Sequence, residues 1–328
     1  MKPSSIRTVI PKLIAKQRPV FIWGPPGVGK SDGVAQIAKD MKLELRDVRL
    51  SLLDPIDLKG FPVVDAVKKQ MKWLPADFLP TKGKGLLFLD EMNSAPMAVQ
   101  GAAYQLVLNR KIGDYKLPDG WAVLAAGNRS GDRAIVHAMP SALANRFVHL
   151  DYDVNVDDWN MWAMENGIHD HIRGFIQFRP ALLHSFDPAT NPRAFPTGRS
   201  WMFANDIYQD EHPAAEEFEL LKGTVGEGAA AEFSGYVKQL RDLPSVPQVL
   251  MDPDGTKLPS SPAAKAAMAA ALDPATTVGN IARVMKYIER MPVEFGAVFI
   301  RSIIRRDSKL TSTKSYMDWT IKNQAVLT

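Results

Sequence analysis

VFIWGPPGVGKSDGVAQIAKDM (20–41) runs from four large apolar residues, through a glycine–proline turn, into apolar residues at helical spacing. Residues 24–31 fit G-x-x-x-x-G-K-[ST] at every fixed position. Val34, Ile37, Ala38 and Met41 follow i, i+3, i+4, i+7 and predict an amphipathic helix. A strand directly before this loop and a helix directly after it form the setting in which such a loop cradles phosphates. Gly27 and Gly29 let the backbone curl so that successive N–H groups face the β- and γ-phosphates, reinforced by the helix N-terminus. The expected nucleotide-binding set is therefore Gly24, Pro25, Pro26, Gly27, Val28, Gly29, Lys30, Ser31 and Asp32. Lys30 supplies a point charge to the phosphates, and Ser31 offers its hydroxyl to Mg²⁺.

A phosphate loop needs a carboxylate on a neighbouring buried strand. KGLLFLDEMNSAP (84–96) supplies one: four consecutive apolar residues, 86–89, suit a parallel strand buried on both faces. Asp90 at its end is placed to reach the metal, and strand alternation turns Glu91 away from it, toward a water on the γ-phosphate side. ATP hydrolysis by positioning and electrostatics is the chemistry these residues suit.

Further strands are expected at 43–50, 122–126 and 147–150, alternating with helices as in a parallel α/β sheet. Another helix is expected over 95–110, capped by Asn93 or Ser94, with Pro96 in its first turn. From about residue 153 helical patterns take over. The proline-rich span 243–262 reads as a linker or irregular connection, followed by two or three helices.

The 328 residues suit two domains with room for an appendage, and 46% apolar with 23% charged content is ordinary for a soluble protein. The chain has no cysteine, which excludes disulfides and thiolate metal sites. No stretch approaches the roughly 20 apolar residues of a membrane span, and no leader pattern opens the chain, so a cytoplasmic location without membrane insertion is the expectation. A net charge of +4 permits nucleic acid as a partner without arguing for it. Arg301, Arg305 and Arg306 read as a solvated helix face, and His169 and His171 as surface residues on different sides of a helix.

Together these motifs resemble an AAA+ ATPase, and more narrowly the MoxR family of the helix-2-insert branch, with CbbQ-type rubisco activases as close relatives. LLFLDE resembles the Walker B motif with its glutamate, AVLAAGN ends in Asn128 at the sensor 1 position, and PSALANRF resembles the helix that ends in an arginine. By that match Asn128 helps position the attacking water, and Arg146 is an arginine finger reaching a neighbouring subunit's γ-phosphate. FPTGRSW stands where the family has sensor 2, which makes Arg199 a second contact to the γ-phosphate in cis. The implied catalytic set is Glu91, Asn128, Arg146, Arg199 and Lys30, with Ser31 and Asp90 as metal ligands. The family commonly has Asn-Arg after the acidic pair; here Asn93 is followed by Ser94, so that arginine's role is absent or falls to Arg110 or Arg129.

The resemblance implies a P-loop NTPase core of the AAA+ type with a central parallel sheet (1–152), carrying hairpins near 60–73 and 111–121. It implies a helical lid with sensor 2 (153–240), then a linker and mainly helical extension (241–328). ATP and Mg²⁺ are the implied cofactors, and a homo-oligomeric, hexameric ring is the implied assembly. The implied activity is chaperone-like remodelling of a protein client, with a von Willebrand factor A domain protein as partner. Lys68, Lys69, Lys72 and Tyr115 on the hairpins are candidate client contacts. The alternative is a nucleic-acid motor of the helicase or branch-migration kind; a monomeric small-molecule kinase is a third class.

Overall fold

A computed structural model describes the chain except residues 66, 68, 130, 132–136, 188, 189, 191, 192, 211, 242 and 328, and the side chains of 241, 263, 325 and 327. Lys68 thus lies outside the described residues. Two compact units are formed, one by Met1–Glu165 with Leu183–Phe203, the other by Asn166–Leu182 with Ala204–Thr328.

The first unit opens with α1 (Pro3–Ile14), β1 (Val20–Trp23), α2 (Lys30–Asp40) and β2 (Glu44–Arg49), then α3 (Pro55–Lys59). The hairpin β3 (Phe61–Asp65) and β4 (Gln70–Leu74) precedes β5 (Gly85–Asp90) and α4 (Met97–Asn109). A second hairpin, β6 (Lys111–Ile112) and β7 (Tyr115–Lys116), leads to β8 (Trp121–Gly127), α5 (Ser141–Ala144), β9 (Val148–Asp151) and α6 (Val156–Glu165). The main sheet is parallel in the order β2-β5-β8-β1-β9. Alternation of side chains along each strand divides its residues between two cores. Phe21, Leu87, Leu89, Val123 and Ala125 face α4, while Val20, Ile22, Leu86, Phe88, Leu124 and Ala126 face α1 and α2. Every residue of β5 and β8 is buried, which explains their unbroken apolar character. Burying each Leu or Phe of β5 contributes about 2 kcal/mol, so this strand alone matches a large part of a domain's net stability.

The expected strands and both expected hairpins are present, with pairing Phe61↔Leu74 and Ile112↔Tyr115. The helix expected over 95–110 begins at Met97 with Pro96 at its N-cap, and neither Asn93 nor Ser94 caps it. Asn93 is instead buried against β8, because its carboxamide finds a better partner there.

The second unit is helical: α7 (Asp170–Phe178), the later part of α8 (Gly198–Gln209), α9 (Ala214–Val225), α10 (Glu227–Arg241), α11 (Val246–Met251), α12 (Pro262–Ala275), α13 (Ile281–Ile288), α14 (Val293–Arg306), α15 (Lys314–Lys322) and α16 (Gln324–Leu327). α11 lies inside the span expected to be irregular. Its start is fixed by a capping box, Ser245 with Gln248, and Val249 is buried in the core of α12, α13 and α14. Arg306 is exposed, as expected of a solvated face, and is also anchored within the unit. Its guanidinium pairs with the largely buried Asp273 carboxylate at 2.7 Å and donates to the Asp273 and Thr276 carbonyls. The two histidines lie on one side rather than two, because His169 precedes the helix as its N-cap. Their rings stand 4.6 Å apart, and His171 shares a hydrogen bond with Tyr208.

Candidate nucleotide site

Parallel strands present their carboxyl ends together, and here those ends carry the loop of residues 24–31, Asp90 and Asn128. Gly27 and Gly29 have φ of +76° and +88°, the left-handed conformation that glycine adopts without steric cost. Gly27 is also constrained by space, since a Cβ there would lie 2.9 Å from Thr197. The Lys30 ammonium donates to the carbonyls of Gly24 (2.6 Å) and Pro25 (3.0 Å) and to Asn128 Oδ1 (3.0 Å). Ser31 Oγ donates to Asp90 Oδ2 at 2.7 Å, and Asp90 is itself buried.

Glu91 departs from the expected geometry. It lies one residue past β5 with φ +53°, so strand alternation does not aim it. Its backbone N–H donates to Asp90 Oδ1 at 2.8 Å, and its carboxylate accepts from Ser51 Oγ, in the turn after β2. The left-handed kink, rather than the pleat, separates the two acids. Asp47 on β2 completes a group of three carboxylates. Asp47 is exposed, yet partial loss of hydration at its carboxyl, then the Asp90 charge and, more weakly, the Glu91 charge, raise it above the ordinary range against the opposing pull of Arg49.

Asn93 forms two hydrogen bonds with the peptide of Asn128: Nδ2 donates to Asn128 O (2.7 Å), and Asn128 N–H donates to Oδ1 (3.2 Å). The backbone of Asn128 is thereby fixed, leaving its side chain directed at Lys30. Gly127, just before it, has no room for a side chain: a Cβ would lie 2.1 Å from Asn93 Oδ1.

The first turn of α8 adjoins the loop. Thr197 and Ser200 cap it reciprocally, with Thr197 N–H to Ser200 Oγ at 2.7 Å and Ser200 N–H to Thr197 Oγ1 at 3.0 Å. Arg199 stands exposed in that turn, two residues from the Thr197 that packs on Gly27. Beneath the loop lies Tyr152, whose ring would meet a Cβ on Gly33 at 3.5 Å. Burial, followed by the nearby Asp32 and Asp158 charges, pushes its phenol up to about 12.

Lys30, Ser31, Asp90, Glu91 and Asn128 are thus brought together, and Arg146 is not. It follows α5 and precedes β9, whose first residue pairs Val148 N–H with Pro19 O at the start of β1. Arg146 therefore stands at the amino end of the sheet, a strand length of roughly 13 Å from the loop. There it lines a recess of about 200 Å³ with Arg18 and Arg110. Arg110 donates to the Pro118 and Trp121 carbonyls, and Arg129 pairs with Asp151 and Asp153, so both arginines considered as replacements for position 94 are engaged within the chain. Ser51, Thr197 and Tyr152 escaped sequence reading because their partners are remote in sequence; only Thr197 had a local signal, the serine three residues later.

Among the described residues no helix is long and apolar enough to cross a membrane. Residues 20–152 match the family model described as the ATPase family associated with various cellular activities (AAA). Midasin of Giardia intestinalis is 27% identical over 175 residues, 50% of this chain. The chain spans only 4% of that relative's length. Of solved structures, NtrX from Brucella abortus is similar at TM-score 0.43 and 14% identity, covering 98% of this chain and 67% of NtrX. The RuvB Holliday junction branch migration motor of Thermotoga maritima is similar at TM-score 0.36 and 15% identity, covering 98% and 86%. The phosphate loop thus lies at the carboxyl end of a five-stranded parallel sheet, and the match to the AAA family model spans all five strands of that sheet.

Proposed function

We propose that this chain is a MoxR-like, Mg²⁺-dependent ATPase that works as a hexameric ring and remodels a protein client, with a von Willebrand factor A domain protein as partner. The observation that carries the ring is the position of Arg146 at the opposite end of the sheet from the loop it would serve. A side chain so placed acts on a nucleotide held by another copy, and repetition of that contact closes a ring.

Within one copy, the loop amides and Lys30 bind the β- and γ-phosphates, and Arg199 reaches the γ-phosphate from α8. Ser31 and Asp90 are hard oxygen donors 2.7 Å apart, which suits Mg²⁺, an ion that takes few protein ligands and keeps several waters. When bound, Mg²⁺ supplies charge neutralisation at the phosphate oxygens. Glu91 accepts the proton of the attacking water after exchanging Ser51 for it, and Asn128 orients that water from a fixed backbone. We take residues 153–240 as the lid and 241–328 as an extension built onto it; packing of α10 on α12 supports that continuity.

A protein client is favoured by the first hairpin, where Phe61, Val64 and Met71 are 67%, 80% and 64% exposed. Such an apolar surface suits a polypeptide better than a phosphate backbone. Lys69, Lys72 and Tyr115 are secondary contacts in this reading; the Tyr115 hydroxyl already donates to Pro80 O at 2.6 Å. The test is Glu91→Gln, which should bind ATP, hydrolyse it at least about 100-fold more slowly and retain its partner in a pull-down. Wild-type turnover in that variant would remove the role of Glu91, and salt-sensitive stimulation of hydrolysis by DNA or RNA would replace the client with nucleic acid.

A further inference from the structure

The first turn of α6 is pinned by three hydrogen bonds. Trp159 N–H donates to Asn155 O (3.0 Å), Asp158 N–H donates to Asn155 Oδ1 (2.9 Å), and the Asp158 carboxylate accepts from Ser4 N–H (2.7 Å). This gives the Trp159 ring a definite place, beside the start of α8. A Cβ built on Gly198 would lie 3.4 Å from both Cδ1 and Nε1 of Trp159, and 3.7 Å from the Gly27 carbonyl oxygen. The pyrrole edge of the indole is therefore one glycine's width from the phosphate loop.

Nε1 is shielded from solvent and has no hydrogen-bond partner among the described residues. An indole N–H can only donate, and a buried donor left unpaired is costly enough that proteins almost always provide an acceptor. None of the described groups around the ring provides one, whereas the loop beside it is built to hold a ligand rich in oxygen acceptors. Gly198 matters for the same reason: any side chain there would occupy the space between the indole edge and the Gly27 carbonyl.

We infer that Trp159 is a nucleotide-contact residue whose indole N–H donates to an oxygen of the nucleotide held by residues 24–31. The inference rests on the reading of that loop as the ATP site. The acceptor is an anionic phosphate oxygen or a ribose hydroxyl, which share this chemistry and are separated by the choice of ligand below.

The test uses the full chain labelled with ¹⁵N at its seven tryptophans, with Trp159→Phe identifying the Trp159 indole signal by its loss. Mg-ADP should shift that signal downfield and slow its exchange with water in the wild type. Trp159→Phe should weaken ADP binding about tenfold while the melting temperature of the ligand-free protein changes little. Equal weakening for ADP and for tripolyphosphate assigns the acceptor to a phosphate; weakening for ADP alone assigns it to the ribose. A Trp159 signal unmoved by ADP that does bind, or an affinity within twofold of wild type, overturns the inference. Should Trp159→Phe fail to fold, Gly198→Ala places a methyl beside Nε1, and unchanged ADP affinity in that variant overturns it equally. A wild-type chain that binds no ADP overturns the site reading itself, and this one with it.

Discussion

The two ends of the parallel sheet are furnished differently. At the carboxyl end side chains hold one another: Ser31 with Asp90, Lys30 with Asn128, Glu91 with Ser51, and Asn93 with the peptide of Asn128. At the amino end Arg146 is exposed beside Arg18, and no described group bonds its guanidinium. Groups that act on a ligand bound in their own chain gain from being fixed beforehand, because reorganisation then costs nothing during reaction. A group whose target belongs to another molecule gains by staying at the surface. The contrast is what the proposed division between loop residues acting in cis and Arg146 acting in trans would produce.

The sharpest way to break this contrast is Arg146→Ala. Turnover should fall on the order of 10³-fold, with ADP affinity within about twofold of wild type. Mixing this variant with Lys30→Ala subunits should restore part of the activity, since intact loops then meet intact arginines. Full activity of Arg146→Ala, or absence of restoration, would place the arginine outside the reaction.

Next in size is Asn93→Ala, which strands the Asn128 N–H and carbonyl at a part-buried position. It should cost about 2–3 kcal/mol in denaturant unfolding and lower turnover through a loosened Asn128. A variant as stable as wild type would show that the clamp is dispensable.

The smallest effect concerns Asp47. Its folded carboxyl is raised above 3.8 by partial loss of hydration and by the Asp90 and Glu91 charges, which outweigh Arg49. A raised carboxyl favours folding while protonated, so its contribution is present at acid pH and is lost as pH rises through the folded value. Asp47→Asn should therefore gain on wild type between about pH 4 and pH 7, by about 2 °C in melting temperature. A constant difference across that range would mean that the three carboxylates do not repel.

Much of the sheet was legible in advance because its strands are buried on both faces, so that 86–89 and 122–126 carry no polar residue. The loop of residues 24–31 was legible because its chemistry needs fixed residues at fixed spacing. Contacts that depend on folding were not. Asn93 stands just ahead of a helix and reads locally as its cap, but its partner lies 35 residues away. The direction of Glu91 does not follow from strand alternation, because the strand ends before it and a left-handed residue sets its aim. α11 was hidden by prolines that suggested a linker, although Ser245 with Gln248 three positions on marks a helix start. Trp159 carries no motif, and its interest arises only from what surrounds its nitrogen.

The Asn93 clamp has an evolutionary consequence. Because a methyl at position 127 would lie 2.1 Å from Asn93 Oδ1, the two sites cannot drift independently. Any descendant that acquires a side chain at 127 must first shorten residue 93, and would then lose its grip on the peptide of residue 128. Selection on one asparagine near the start of α4 thus preserves a glycine at the end of β8, and that paired constraint should outlast most of the surrounding sequence.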